Sequence, residues 1–419
     1  MSPAVTSPQP DQEFNVRLEQ RRRGGALWRT AFQLSTIVGI IALTALLYNV
    51  MDSAFGYVAV ENSVDPASLA IGGVPLEEQS KDQLVRVLQA NVSAGLFRRF
   101  EDDQPFAERG RDSVLALILE RVVEPQVVET WSLTDSLLRR SEVLAEAASS
   151  YPNAIVRFEA WIDPDFVSTP QSGDPQRAGV RTAILGSLWV IAITIGFSFP
   201  IGVGAAIYLE EYAADTALNR LIRTNINNLA GVPSIIYGIL GLAILVRALE
   251  PLTSGTLFGL TDPTSANGRT ILSAGMTLGL LILPLIIINA QEAIRAVPGS
   301  LRQAGLALGA TRWQTIWAHV LPNALPGILT GTILAVSRAI GETAPLVVVG
   351  ASTFITVDPD SPFAKFTTLP IQIFQWTSRP QDVFRNLAAA AILVLLALLL
   401  AMNASAVLLR NRYSRRLSG

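Results

Sequence analysis

The sequence predicts an all-α polytopic membrane protein with one soluble α+β insert between its first and second spans. Three observations carry that reading. Half of the 419 residues are hydrophobic and 16% are charged, against about 25% charged in ordinary soluble chains, and mean hydropathy is +0.39. Six apolar stretches approach or reach the ~20 residues that ~30 Å of hydrocarbon requires. Between the first two of them lies a long polar interval, residues 52–178, in which acidic residues outnumber basic ones.

The same composition excludes several chemistries. Net charge is −2, so nothing points to nucleic acid. With no cysteine there is no disulfide, thiolate metal site or cysteine nucleophile. A single histidine, His319, argues against a histidine metal centre or a Ser-His triad. No GxxxxGK[ST] run occurs, so the chain has no P-loop of its own. We expect no catalytic residue, metal or cofactor here.

Taken in order, residues 1–29 form a tail, unstructured before Arg17. The first span, 30–51, has too long an apolar run, and no small-residue cleavage site, for a removable signal peptide. Within the insert, residues 114–123 and 136–148 place apolar side chains at helical spacing, 154–161 alternates as a strand, and TPQSGDPQ at 169–176 turns the chain back to the membrane. The insert reads as a cap or spacer, or as a surface for an extracytoplasmic partner. A core at 179–410 then carries spans at 182–208, 229–246, 272–290, 321–350 and 387–409, and 411–419 forms a second tail. Pro200, Pro233, Pro284 and Pro345 lie in or at the edge of these runs and remove helix donors, which predicts kinks.

Orientation comes from the short flanks. Arg21, Arg22, Arg23 and Arg29 precede the first span; Arg220 and Arg223 lie between the second and third. Arg295, Arg302 and Arg312 lie between the fourth and fifth, and Arg410, Arg412, Arg415 and Arg416 follow the sixth. With six crossings all four sets share one face, which the positive-inside rule assigns to the cytoplasm. Both termini are then cytoplasmic, in a multi-pass plasma (inner) membrane protein. Glu210, Glu211, Glu292 and Arg295 fall at that edge and read as solvated flanks or docking contacts.

One cytoplasmic loop, 291–320, is structured. Residues 301–322, LRQAGLALGATRWQTIWAHVLP, read as a short helix, a reversal at Gly309 and a second helix entering the fifth span. A glycine tolerates the tight turn that a Cβ would strain. Ala304, Ala307 and Ala310 keep the first helix slim, and Trp313 and Trp317, one turn apart, form an apolar docking face or an interfacial Trp belt.

This segment resembles the loop of ATP-driven (ABC) importer permeases, written EAA, three residues, Gly, nine residues, Ile, one residue, Leu-Pro. Gln303-Ala304-Gly305 stands at EAA, Gly309 follows at the right spacing, and Leu321-Pro322 closes the pattern. Gln303 replaces the acid, Gly305 an alanine and His319 the apolar residue. Residues 199–212 (FPIGVGAAIYLEEY), 230–242 (AGVPSIIYGILGL) and 338–346 (RAIGETAPL) are similar to the PstA-type permeases of phosphate importers, within the binding-protein-dependent transport permease family. The likeness covers the first span and residues from about 158 onward.

The resemblance implies six permease-type spans and a coupling loop through Gln303, Ala304, Gly305, Gly309, Trp313, Leu321 and Pro322. It implies a PstC-like homologous permease as heterodimer partner, two copies of a PstB-like ATPase that binds ATP and Mg, and a PstS-like extracytoplasmic phosphate-binding protein. It also implies that Arg338 and Glu342 matter for transport. These two charges lie deep in an apolar run, four residues apart and so on one helix face. A charge there costs at least about 2.5–3.5 kcal/mol, so the pair is a structural tie or a substrate gate. The guanidinium fork suits a tetrahedral oxyanion, Glu342 can neutralise it, and Thr343 can add a hydroxyl. Sulfate or molybdate is the nearest alternative cargo. An ATP-independent secondary transporter, lacking an evident inverted repeat, or a membrane-anchored sensor using the insert are the other classes.

Overall fold

A computed structural model describes the backbone of residues 10–261, 267–351 and 354–417, with side chains from residue 24 to 412. The chain forms two units, dividing at Asp52. The first is essentially α1 (Pro10–Ala54), one uninterrupted helix. Residues 10–16, expected to be unstructured, are therefore helical; residues 1–9 lie outside the described residues. Thr30 and Thr36 donate to the carbonyls of Ala26 and Phe32 at 3.0 and 2.9 Å, which keeps their hydroxyls satisfied in an apolar setting.

The second unit opens with β1 (Phe55–Asn62). A helical lobe follows: α2 (Lys81–Asn91), α3 (Ala94–Asp103) and α4 (Arg111–Ile118), the last extended by a π-turn over Leu119–Val123. Leu84, Leu88, Val114 and Ile118 are fully buried in this lobe's own core. Then come β2 (Pro125–Thr130), α5 (Leu133–Leu138), α6 (Arg140–Ser150), β3 (Ile155–Ala160) and α7 (Pro164–Ser168). The sheet has order β2-β1-β3 and is antiparallel throughout, with Tyr57 opposite Phe158 and Val58 opposite Thr130. Sequence reading found β3 and missed β1 and β2; in β1, the central strand, Val58, Ala59 and Val60 are buried in succession, so its sequence does not alternate.

The sheet is not a free-standing cap. Val58, Val60, Trp161 and Phe166 share one core with Val180 and Ala183 at the start of α8 (Arg181–Ile207), and with Trp376, Phe384 and Leu387 near the chain's end. The α8 helix continues as a π-turn over Tyr208–Tyr212.

Among the described residues, five helices are long and apolar enough to span a membrane, or six if one bent pair counts as a span. That pair is α9 (Ala217–Ala230) and α10 (Ser234–Gly241), with α10 prolonged as a π-helix to Ala248 and the two bent by 105°. The expected span at 229–246, for which Pro233 predicted a kink, is broken outright at Gly231-Val232-Pro233, where proline removes a donor. After α11 (Glu250–Thr253), α12 (Ile271–Arg295) runs parallel to α8. A Cβ at Gly275 would sit 2.6 Å from Ile193, and one at Gly202 2.6 Å from Ile286, so both glycines permit close helix contact.

Next come α13 (Gly299–Ala307), α14 (Arg312–Thr315) and α15 (Leu321–Ile340); a π-turn over Ile316–Val320 joins the last two into one helix, Arg312–Ile340. It packs antiparallel on α12, with Gly327 against Ala293 and Gly331 against Asn289. The expected continuous span at 321–350 is interrupted: α15 ends at Ile340, Gly341 caps it, and α16 (Ala344–Val349) starts anew with Pro345 in its first turn. A short buried helix, α17 (Leu369–Thr377), and the long α18 (Asp382–Leu417) complete the unit. The sixth apolar segment is longer than expected, and the helix runs through most of the 411–419 tail.

Candidate transport and coupling sites

Arg338 occupies the last turn of α15, and Glu342 lies two residues past its end. Their Nε and Oε1 atoms are 3.3 Å apart, with side chains 47% and 18% exposed. The pair therefore bridges a helix terminus rather than lying along one helix face. The register of Gly331 on Asn289 brings Arg338 level with the middle of α12, and Ala339, Ile340, Ile282 and Tyr237 share one core there. Thr343 is half-buried beside Glu342 and does not cap α16.

The second interruption lies alongside the first. Across the α9–α10 bend, Tyr237 Oη donates to the Leu229 carbonyl at 2.9 Å. A Cβ on Gly238 would lie 2.7 Å from Pro345 Cα, so α10 and α16 touch where both segments are broken. Irregular backbone at membrane depth is tolerated where protein or water satisfies it. The two breaks therefore lie near the half-exposed Arg338 guanidinium, level with the middle of α12. The exposed apolar face of α10, with Ile235, Ile236, Ile239 and Leu240, continues outward from them.

The loop residues assemble at the other end of the same helix. Gly309 has φ +80°. Its N–H donates to the Leu306 carbonyl at 3.0 Å, and the Ala310 N–H to the Gly305 carbonyl at 3.1 Å. This is the paired hydrogen-bond pattern of a glycine-terminated helix. Thr311 then caps α14, exchanging hydrogen bonds with Gln314. Gln303 and Ala304 are exposed, Gly305 is buried, and Leu321 and Pro322 are half-buried. Trp313 and Trp317 stack with ring centroids 5.5 Å apart and both are exposed, as are Leu306 and Leu308. His319 is exposed and accepts at its carbonyl from Asn323. The loop thus exposes four large apolar side chains, the stacked Trp313 and Trp317 and the two leucines.

Glu210 and Glu211, read from sequence as solvated flanks or docking contacts, are mostly screened from solvent and paired with arginines. Glu210 and Glu211 are 11% and 10% exposed. Glu210 accepts from Arg223 of α9 at 2.8 Å, from Gln291 at 3.1 Å and from Arg295 at 2.9 Å, both of the latter on α12. Glu211 accepts from Arg302 of α13 at 2.7 Å (Nη2) and 3.0 Å (Nε). The signal was present: both acids fall in a π-turn, and arginine flanks both neighbouring loops. Spacing alone does not report which arginine reaches which acid. Glu292 and Arg295 are more than half exposed, in keeping with an edge position.

Residues 183–418 match the family described as "Binding-protein-dependent transport system inner membrane component". The chain is 31% identical over 212 residues to the probable ABC transporter permease protein YqgI of Bacillus subtilis, covering 50% of this chain and 66% of that protein. It is 33% identical over 219 residues to the phosphate transport system permease protein PstA homolog of Mycoplasma pneumoniae, covering 52% of this chain and 32% of that one. It is 30% identical over 253 residues to the phosphate transport system permease protein PstA of Xylella fastidiosa, covering 60% and 82%. The chain thus spans less than two thirds of the length of the first two relatives. These relatives are permeases by name, not enzymes, and the matched residues contain both the broken helices and the 291–320 loop. The chain belongs to the family of inner membrane components of binding-protein-dependent transport systems.

Proposed function

We propose that this chain is a PstA-type permease subunit that moves inorganic phosphate into the cytoplasm. The carrying observation is that a guanidinium neutralised by a carboxylate stands at a helix break level with the middle of α12, on the same helix that begins at the coupling loop. Arg338 offers a planar fork that fits two oxygens of a tetrahedral oxyanion. Glu342 holds that charge while the path is empty and repels the anion once it has passed, so the pair acts as a latch. Thr343 stands next to it as a further donor. Names of the similar permeases support phosphate over sulfate or molybdate.

The driving force comes from outside the chain. The loop with its exposed Trp313, Trp317, Leu306 and Leu308, and with Gln303, Ala304 and Gly309, seats on a separate PstB-like ATPase, present in two copies, which binds ATP and Mg. A homologous PstC-like permease covers the exposed face of α10 and supplies the other half of the path. A PstS-like phosphate-binding protein delivers cargo at the insert face, which is extracytoplasmic; both termini and the 291–320 loop are cytoplasmic.

The test is uptake of radiolabelled phosphate into proteoliposomes carrying the co-purified complex, with and without ATP and with sulfate or molybdate as competitor. ATP-dependent uptake that excess sulfate leaves unchanged supports the reading. Uptake abolished by sulfate or molybdate moves the cargo to that oxyanion, and uptake without ATP overturns ATP coupling in favour of a secondary transporter.

A further inference from the structure

We infer that Glu210 and Glu211 form the transmission between the coupling helix and the membrane spans. This rests on the reading that an external ATPase drives the chain, and it names the residues through which that drive passes. Gln303 is exposed and neutral, so the first helix of the loop has no acidic handle at that point. What ties α13 to the bundle instead is Arg302. Its Nη2 and Nε reach Glu211 at 2.7 and 3.0 Å, its Nη2 also reaches the Ile294 carbonyl at 2.9 Å, and its Nη1 the Val297 carbonyl at 2.7 Å. One guanidinium therefore fastens the coupling helix to the end of α8 and to the last carbonyls of α12.

The adjacent acid extends the connection. Glu210 joins α8 to α9 through Arg223 and to α12 through Gln291 and Arg295. Arg223 also donates to the Leu209 carbonyl. The two glutamates are successive residues of the π-turn Tyr208–Tyr212, and they serve different neighbours, Glu211 bonding α13 and Glu210 bonding α9 and α12. Because α9 bends directly into the broken span that touches Pro345, a displacement of α13 reaches the Arg338 break by two routes. One is along Arg312–Ile340. The other runs through Arg302–Glu211, Glu210–Arg223 and the α9–α10 bend. A bidentate pair at 10% and 25% exposure resists lateral slip better than an apolar contact, because buried charge cannot be left unpaired cheaply.

Glu211 and Arg302 are positioning residues: neither lines the Arg338 break. The experiment compares phosphate import per ATP hydrolysed, in proteoliposomes of the co-purified complex, for the native chain, Glu211→Gln, Arg302→Gln and the exchange Glu211→Arg/Arg302→Glu. Each single change is expected to lower import per ATP by about tenfold, within the range of measured coupling energies, with the phosphate concentration for half-maximal import unchanged. The exchange is expected to recover a substantial part of the loss. Since the chain has no native cysteine, Glu211→Cys/Arg302→Cys gives a second readout on a single preparation. Import per ATP should be low with free thiols and rise when a short bifunctional thiol reagent bridges them, with Glu211→Cys alone as control. Single variants that import at native yield per ATP overturn the inference, as does a bridged double-cysteine chain that stays uncoupled. Native import without any need for ATP overturns the function beneath it as well.

Discussion

Arg338 is half exposed beside a helix end, and what it does there depends on the shape of its head group more than on its charge. Arg338→Lys keeps the charge and loses the planar fork. At least one charge-assisted hydrogen bond to an oxyanion is lost, worth about 1.5–3 kcal/mol, so phosphate uptake by the co-purified complex should fall by about tenfold or more. Native uptake in that variant would leave only a charge requirement and remove the bidentate role. Glu342 lies past the last residue of α15, where Gly341 caps the helix, and its N–H donates to the Ala339 carbonyl at 3.2 Å. The pair can part by side-chain rotation alone, with the backbone left in place.

At the scale of elements, the packing of α13 on α14 decides how firmly the loop is held. A Cβ at Gly305 would lie 2.7 Å from Thr315 Oγ1 and 2.9 Å from its Cγ2, so the glycine that departs from the family's alanine is matched by a threonine across the turn. Gly305→Ala should cost about 1–3 kcal/mol through overpacking and reduce import. Gly305→Ala/Thr315→Ala should restore it, since the second change removes both crowding atoms; a double variant no better than the single one would place the cost elsewhere. The loop's reversal at Gly309 was legible in sequence because a left-handed residue needs glycine, and local chemistry fixes such a turn. Among the described residues, five of the long apolar helices were legible from length and hydropathy. The breaks at 231–233 and 341–343 were not resolved, since a proline predicts a lost hydrogen bond but not whether the helix kinks or stops. The ion-pair partners of Glu210 and Glu211 were not legible for a related reason: Arg223, Arg295 and Arg302 lie 13 to 91 residues away, and only the fold brings them in.

For the molecule as a whole, the insert consists of two parts that differ in what they support. The sheet continues the bundle, because Val58, Val60 and Trp161 are buried against Val180, Trp376, Phe384 and Leu387. The helical lobe from Leu69 to Val123 has a separate core that shares none of those residues. Its two ends meet: Ser63 N–H donates to the Glu124 carbonyl and Val64 N–H to the Val123 carbonyl, both at 3.3 Å. Residues 64–123 can therefore be replaced by a two-residue Asn-Gly turn, which closes a hairpin between antiparallel strands, without opening the shared core. Such a chain should express, assemble with its partners and keep a thermal midpoint within a few degrees of the native complex. Removing β1 to β3 as well would expose Trp376 and Phe384, each of which costs about 3–5 kcal/mol when its packing is lost, and should abolish a monodisperse complex. Size-exclusion profiles and thermal melts of the two deletions separate the outcomes. If both chains assemble, the sheet is dispensable and its core with α8 and α18 is not a structural joint. If neither does, the lobe is part of the joint despite its separate core. If only the lobe deletion assembles, phosphate import by that complex then shows whether the lobe serves delivery: native import makes it a spacer, and lost import with intact assembly makes it the surface on which the binding protein lands.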